Sequence, residues 1–375
     1  MASKVYFTDL RTRPDSNLQQ KLRKLLKQSG LEKIKFKGKF TALKIHFGEP
    51  GNLAYIRPNY AATVVSYIRD LGGIPFLTDS NTLYSGRRSN AIDHLRAAEE
   101  NGFSWTTTGA NVIIADGLRG TEFREIKINQ KHCKTAKIGS AIADADIIIS
   151  LTHFKGHELT GFGGALKNIG MGSGSRGGKL EMHSASKPAI NKKNCISCGM
   201  CIKYCPQKAI SFDKEKNATI DYAKCIGCGQ CIAVCQFNAA QVVWNQDSDT
   251  TAEKIAEYAF AALKGKPNFH ISFLMNISPN CDCWPANDAP IVPDIGIAAS
   301  FDPVALDCAC VDMVNTAVKI PGTALTEANY KEGADAFSCI HTNTNWRACL
   351  KHAADIGIGK MEYNLSRLKL LKTVS

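Results

Sequence analysis

Eight cysteines in the middle of the chain have the residue type and the spacing to bind metal. The first run is "NCISCGMCIKYCP", which begins at Asn194, and the second is "KCIGCGQCIAVCQ", which begins at Lys224. Cys225 follows Cys195 by 30 positions, and eight of the sixteen residues that begin at Cys195 are identical at this offset. The segment therefore contains an internal repeat, with the cysteines Cys195, Cys198, Cys201, Cys205, Cys225, Cys228, Cys231 and Cys235.

The spacing C-x2-C-x2-C-x3-C is typical of bacterial ferredoxins that hold two [4Fe-4S] clusters. Three cysteines of one run bind three irons of one cluster, and the fourth binds the neighbouring cluster. Gly199 and Gly229 let the backbone pass close to sulfur. The predicted ligands are Cys195, Cys198, Cys201 and Cys235 for cluster I, and Cys225, Cys228, Cys231 and Cys205 for cluster II. Zinc is the alternative, although zinc sites usually pair two C-x-x-C units across a longer loop.

The two runs differ after the last cysteine. Pro206 follows Cys205, whereas Gln236 follows Cys235. Gln236 keeps a backbone N–H that can donate to cluster sulfur, and such hydrogen bonds raise a cluster's reduction potential. We expect the two clusters to differ in potential.

A second group of polar residues follows the apolar stretch "ADIIISL", in the segment "THFKGHELTGFGGALKN". Ligands of open α/β sheets bind at the carboxyl ends of strands, and glycines let a backbone approach an anion closely. The predicted proton-transfer or substrate-binding residues are His153, His157, Lys167 and His183. The predicted ligand-binding residues are Gly161, Gly163, Gly164, Asn168 and Arg57. A small anion is the expected ligand; the alternative is that the histidines are ordinary polar loop residues.

Three further features of the sequence have residue types that could bind a ligand or pack in the core. "GSGSRG" at Gly172 matches a dinucleotide-binding pattern, but no strand precedes it, so we reject that function. Arg57, Arg87 and Arg88 can hold a carboxylate or phosphate, or simply face solvent. The cysteines at 308, 310, 339 and 349 lie in helical patterns and are expected in the core.

The segment "SPNCDCWP" places Cys281, Asp282 and Cys283 just after a predicted strand. Two thiols and a carboxylate within three residues predict a candidate site for an additional metal or a third cluster. The alternative is a pair of partly buried free cysteines, because cysteine packs like a small hydrophobic residue.

The elements around the cysteine runs predict an α/β fold with a mostly parallel sheet flanked by helices. Short apolar runs such as "TALKIHFG" and "ADIIISLT" alternate with helical patterns over 16–29, 59–71 and 89–102. The cysteine-rich part interrupts this rhythm, so we predict a small α+β ferredoxin-like insertion. The predicted parts are 1–186 and 244–375 for the α/β domain and 187–243 for the insertion.

Composition narrows the class of protein. The chain has 375 residues, of which 44% are hydrophobic, and a formal charge of +12. No apolar run approaches the ~20 residues that span a bilayer, and the first residues do not form a signal peptide. We expect a cytoplasmic protein with reduced thiols. The lysines are spread along the chain, so neither nucleic acid nor membrane is an expected partner.

Three segments resemble a family of iron–sulfur centre proteins known only as a domain of unknown function: "HFKGHELTGFGGALKN", "SNTLYSGRRSNAIDHLRAAEENGF" and the stretch that begins "CDCWPANDAP". The resemblance covers nearly the whole chain, and such proteins often carry a ferredoxin-like insertion. The resemblance implies an α/β domain with a ferredoxin-like insertion that binds iron–sulfur clusters. It does not imply a particular reaction.

Together these patterns predict an iron–sulfur oxidoreductase. A low-potential electron-carrier protein is the expected redox partner, and the clusters would pass electrons to a small anionic substrate or cofactor in the α/β domain. One alternative is an electron-carrier or docking subunit of a larger redox complex. Another is a scaffold for metal or cluster maturation. The glycine–lysine–histidine segment, residues 152–168, distinguishes these functions. If it forms a deep polar pocket beside the insertion, the enzyme is favoured.

Overall fold

The structure is a computed structural model. It describes residues 2–84, 86–183, 187–205, 207–225, 230–237, 239–241 and 247–368. Cys228, Gly229 and Pro206 lie outside the described residues, as do the predicted domain boundaries at 186 and 243. No helix in the described part of the chain is long and apolar enough to cross a membrane.

Sixteen strands are assigned in the described ranges. They are β1 (Ser3–Asp9), β2 (Phe40–Ile45), β3 (Ile74–Asp79), β4 (Val112–Ile114), β5 (Phe123–Lys127), β6 (Thr135–Gly139), β7 (Ile147–His153), β8 (Lys155–His157), β9 (Gly161–Gly163), β10 (Ala189–Ile190), β11 (Ile210–Phe212), β12 (Ala218–Ile220), β13 (Ala240–Gln241), β14 (Asn268–Leu274), β15 (Gly296–Ser300) and β16 (Tyr363–Arg367).

The same ranges hold fourteen helices. They are α1 (Leu18–Ser29), α2 (Pro58–Asp70), α3 (Ala91–Glu100), α4 (Trp105–Thr108), α5 (Ser140–Asp144), α6 (Ala165–Ser173), α7 (Arg176–His183), α8 (Met200–Lys203), α9 (Gln230–Val234), α10 (Ser248–Leu263), α11 (Pro303–Thr316), α12 (Ala324–Glu327), α13 (Ala336–Ile340) and α14 (Trp346–Asp355).

The central sheet has eight strands in the order β16-β1-β15-β14-β7-β2-β3-β4. Five of its seven pairings are parallel, and β15 runs antiparallel to both of its neighbours. Strand β7 is buried along its whole length because helices cover both faces of the sheet. The predicted α/β fold with a mostly parallel sheet is confirmed.

Local helix signals in the sequence are confirmed at several ends. Gly30 closes α1 with φ at 77°, in the left-handed region that glycine adopts without strain. Asp302 caps α11 by accepting two backbone hydrogen bonds, and Pro303 is its first residue. The "GSGSRG" segment joins the end of α6 to the start of α7, so a helix and not a strand precedes it. The hairpin of β5 and β6 was not predicted.

Two apolar clusters fill the α/β part. One lies against α6, α10, α11 and α14, and the other against α1 and α2. The cysteines at 308, 310, 339 and 349 lie in helices and pack in or against the first cluster, as predicted. Strands before and after the cysteine-rich segment share the sheet, because β7 pairs directly with β14.

The cysteine-rich segment has its own small elements. Strand β10 pairs with β13, and β11 pairs with β12, with the short helices α8 and α9 between them. A third apolar cluster joins this segment to the α/β part: Leu83 and Leu180 pack with Cys231 and Ile232. The segment therefore rests on α7, which carries Leu180.

Candidate functional site

A cavity of about 750 Å³ lies at one edge of the sheet. Strands β14, β7, β2 and β3 are adjacent and mutually parallel, so their carboxyl ends meet at this edge, where α/β proteins bind ligands. The cavity is lined in part by residues that the sequence predicted: His153, His157, Gly164, Lys167, Asn168, His183 and Cys283.

Several ionisable residues in the cavity wall were missed by sequence analysis: Lys44, His46, Glu49, Asp79, Tyr84 and Lys179. A signal for two of them was present. Lys44 is a lone charge inside an apolar strand, and Asp79 is the last residue of another strand. Their proximity depends on the pairing of β2 with β3.

Lys44 is the centre of a buried polar network. Its Nζ lies 2.9 Å from Asp79 Oδ1 and donates to Asn168 Oδ1 at 2.8 Å. Asn168 in turn donates to Leu151 O at 3.0 Å. Burial alone would raise the pKa of Asp79, but Lys44 together with His46, His94 and Lys179 outweighs burial and holds that pKa below its usual range. A side chain at Gly172 would collide with Lys44 Nζ and displace it from its present position.

Arg88 already holds a carboxylate of this chain. Its Nε donates to Glu49 Oε2 at 2.6 Å, and its Nη2 donates to Tyr84 Oη at 2.7 Å. Arg87 instead pairs with Glu100 at the surface. Arg57 lies outside the large cavity and lines a smaller one.

His153 is held at both ring nitrogens. Nδ1 faces both oxygens of Asp282 at 2.9 Å, and Nε2 lies 2.8 Å from Met275 O. Both partners are hydrogen-bond acceptors of the chain itself, so they occupy both sides of the His153 ring. Lys155 Nζ lies 3.2 Å from Asp282 Oδ2. His153 therefore anchors the Cys281–Cys283 segment to the end of β7.

The thiol of Cys281 lies in a polar environment although the residue is only 1% exposed. Lys167 Nζ lies 3.1 Å from its sulfur. The hydrogen bond from Cys283, the charge of Lys167 and the hydrogen bond from His157 together hold the pKa of Cys281 well below its usual range, against the effect of burial. Cys283 lines the cavity, and the same hydrogen bond raises the pKa of its thiol.

The predicted glycines have different surroundings. Gly164 precedes α6, where Asp307 accepts hydrogen bonds from Ala165 and Leu166. Gly161 packs against the side chain of Trp346. Gly163 lies beside Lys155.

The remaining predicted histidine and an adjacent lysine lie on α7. Burial lowers the pKa of His183 to about 3, so its imidazole is neutral near pH 7. Burial also lowers the pKa of Lys179 to about 8. Lys179 Nζ donates to Gly174 O at 2.6 Å.

Four cysteines of the cysteine-rich segment face a second, small cavity. They are Cys195, Cys198, Cys201 and Cys235. Backbone N–H groups of Ala218 and Ala239 donate to the sulfurs of Cys195 and Cys235 at 3.4 and 3.3 Å. Outside this cavity, Ala209 donates to Cys205 at 3.2 Å. The structure thus brings Cys235 to the first run, and Cys228 lies outside the described residues.

Among the described residues, no three His, Cys, Asp or Glu side chains form a group that could hold a metal ion. A four-iron cluster is a different case, because each of its irons takes one cysteine. The additional metal predicted at Cys281 and Cys283 stays a prediction.

Comparison with known proteins identifies the family. The model of the family described as "Domain of unknown function (DUF362)" matches residues 41–312. The chain belongs to the DUF362 family. This range of the DUF362 match includes every strand that lines the large cavity and the whole cysteine-rich segment.

Two more distant likenesses accompany the DUF362 match. Over 36 residues the chain is 42% identical to ketoisovalerate oxidoreductase subunit VorD of Pyrococcus furiosus. This aligned stretch makes up 10% of this chain and 34% of VorD. The chain thus spans about a third of that curated relative. The lactate racemase apoprotein of Thermoanaerobacterium thermosaccharolyticum aligns with a TM-score of 0.36 and 10% identity, over 99% of this chain and 84% of the racemase.

Proposed function

We propose that this DUF362 protein is an iron–sulfur oxidoreductase that passes electrons from its cysteine-rich segment to a substrate in the large cavity. One observation carries the proposal. Leu83 lines the large cavity and also belongs to the apolar cluster of the cysteine-rich segment. Leu83 thus contacts both the cavity and the cysteine-rich segment, which supports a direct electron path between them.

Two [4Fe-4S] clusters are part of the proposal. Cys195, Cys198, Cys201 and Cys235 would hold one cluster, which is supported by the cavity that these four thiols share. The other would be held by Cys205, Cys225, Cys228 and Cys231. Each cluster, when bound, supplies or accepts one electron at a time. The backbone N–H groups that point at the cysteine sulfurs are the donors that such clusters use to set their potential.

The large cavity suits a small-molecule substrate or cofactor. Its volume lies within the ~300–1,000 Å³ that is usual for such sites. Its wall offers several cations: Lys44, Arg88, Lys155, Lys167 and Lys179. Most of them are already paired with groups of the chain, so a small anion would compete for Lys167 or Lys179. Lys179 is the best proton donor in the wall, because its pKa of about 8 is close to neutral pH.

An electron carrier with no substrate of its own is less well supported. That function predicts a flat, exposed glycine–lysine–histidine segment, whereas His157, Lys167 and Asn168 line the interior of the cavity. A low-potential electron-carrier protein remains the proposed redox partner.

The proposal can be tested by blocking the cavity. Protein prepared without air is reduced, and reoxidation of the clusters by the small-molecule extract of host cells is followed by absorbance. Leu159→Trp places a large ring in the cavity wall, and Leu118→Trp makes the same change at an exposed position outside it. We expect slow reoxidation only in Leu159→Trp, with unchanged iron content in both. Equal rates in both variants would show that electrons leave at the protein surface.

A further inference from the structure

Cys281 and Cys283 are two thiols at the wall of the large cavity. They follow β14, which is adjacent to β7 in the sheet. Cys283 lines the cavity, whereas Cys281 is buried behind it. One residue separates them in the chain, and Cys283 is the largest influence that lowers the pKa of the Cys281 thiol.

The surroundings of Cys281 favour a thiolate. Lys167 Nζ donates to its sulfur at 3.1 Å. His157 Nδ1 accepts hydrogen bonds from the backbone N–H groups of Leu159 and Thr160 at 3.1 and 3.2 Å. The other ring nitrogen therefore carries the hydrogen, and it is this side of His157 that hydrogen-bonds to Cys281. A cation and two further donors thus surround one sulfur.

Two buried cysteines of the apolar core behave differently. Burial raises the pKa of Cys310 and of Cys349, and neither shift has a lysine among its causes. Cys281 is buried as deeply as they are, but the pKa of its thiol moves the other way. A buried thiolate next to a second, accessible thiol is the arrangement of a reactive pair and not of two core residues.

We propose that Cys281 and Cys283 form a reversible dithiol–disulfide couple at the wall of the cavity. In the reduced form Cys281 is the thiolate and Cys283 the thiol. Oxidation forms one S–S bond and releases two electrons and the proton of Cys283. Reduction breaks that bond, takes up two electrons and returns the proton to Cys283.

The electron count fits the protein. This step rests on the proposed function, in which electrons flow from the cysteine-rich segment to the cavity. The two iron–sulfur clusters would be low-potential donors of one electron each. The disulfide would accept one electron from each cluster. Cys283 then presents its sulfur to the cavity, where the reduced pair can pass both electrons to a substrate that accepts two electrons. The couple converts one-electron delivery into two-electron chemistry.

The position of Lys167 favours this couple over a bound metal. Its ammonium group lies at hydrogen-bond distance from Cys281 and takes the place that a metal cation would need.

The experiment is a redox titration of the intact chain that does not depend on the clusters. The protein is equilibrated without air in mixtures of reduced and oxidised dithiothreitol, quenched in acid, unfolded and alkylated. Mass spectrometry of the peptide that contains residues 281 and 283 then reports the state of each thiol. We expect both thiols to be alkylated in reducing mixtures and neither in oxidising ones, with one common midpoint. Cys308 and Cys310 serve as controls and stay alkylated throughout.

Two results would overturn the couple. One is that both thiols stay alkylated in every mixture. The other is that the pair resists alkylation in reducing mixtures while one extra metal per chain is retained, which would assign a metal site. Variant Cys283→Ser adds a check, because Cys281 should then stay alkylated at all potentials. Failure of the proposed function would look different: the couple would titrate, but iron would be absent or dithionite-reduced clusters would not reduce the disulfide.

Discussion

The ammonium group of Lys167 lies 3.1 Å from the sulfur of Cys281, behind the wall of the large cavity. The two residues are 114 positions apart in the chain and are brought together by α6 and by the segment after β14. In this state Lys167 neutralises a thiolate of the protein itself. An anionic ligand can pair with Lys167 only when that thiolate is lost, so the anion predicted from the sequence and the redox state of Cys281 are coupled.

Replacing Lys167 should change the potential of the cysteine couple. Lys167 stabilises the thiolate, which exists only in the reduced form, so Lys167→Met should make the midpoint more negative. Loss of a charge-assisted hydrogen bond costs about 1.5–3 kcal/mol, and for a two-electron couple about 1.4 kcal/mol corresponds to 30 mV. We expect a shift of about 30–60 mV in the alkylation titration. An unchanged midpoint would show that Lys167 does not act on Cys281.

Anion binding should depend on the state of the same couple. Oxidation of Cys281 removes its negative charge and releases Lys167. Phosphate or sulfate should therefore bind the oxidised protein about tenfold more tightly or better, since a charge-assisted hydrogen bond of ~1.5–3 kcal/mol exceeds the ~1.4 kcal/mol per decade of affinity. Calorimetry on both forms measures the difference. In Lys167→Met the two affinities should be equal, with an unaltered cluster spectrum.

The ligands of the first cluster can be assigned by iron counts. If Cys201 and Cys235 bind the same cluster, as their shared cavity suggests, each single serine variant should lose about four of about eight irons. The double variant should lose no more iron than either single one. Cys205→Ser combined with Cys201→Ser should lose both clusters. Iron and acid-labile sulfide are counted on protein prepared without air. Additive losses for Cys201 and Cys235 would contradict the crossed assignment.

Asp79→Asn should destabilise the fold strongly. Asp79 and Lys44 are both almost completely buried, and removing one partner of a buried ion pair typically costs about 3–5 kcal/mol. Because the pKa of Asp79 is held below its usual range, this stabilisation is present above about pH 4 and is lost as the pH falls further. Chemical denaturation of the wild type and of Asp79→Asn measures the difference in their free energy of unfolding. This difference should be large at neutral pH and smaller at acidic pH.

A matched control for that variant is Asp144→Asn, which breaks an exposed pair with Arg124. Water screens such pairs, so its effect should be much smaller. A loss as large as that of Asp79→Asn would mean that burial of the pair is not the cause.

The cysteine-rich segment should be removable without loss of the α/β fold. Strands β7 and β14 pair directly across it, and loops tolerate changes that keep their ends close. A short flexible linker in place of residues 187–243 should leave a cooperative unfolding transition at a lower temperature, because Leu83 and Leu180 lose their apolar cover. Calorimetry checks this outcome. Complete loss of cooperative unfolding would show that the segment is part of the core.

Local features of this protein could be predicted from the sequence because their signals lie within a few residues. The apolar strands β2, β3 and β7, the cap at Asp302 and the turn at Gly30 are examples. The cysteine spacing also predicted which thiols come together in one run. Even the approach of Cys235 to the first run followed from the spacing, although that cysteine is 30 positions beyond Cys205.

Only the tertiary structure decided which charged groups share the site. Lys44 and Asp79 meet because β2 pairs with β3, and Cys281 meets Lys167 because β14 lies beside β7. The antiparallel course of β15 likewise depends on the order of strands in the sheet. An isolated strand sequence contains the apolar pattern that buries it but not the identity of its neighbours. The strand order therefore determines which side chains become partners, and burial among those partners then sets the charge that each one carries.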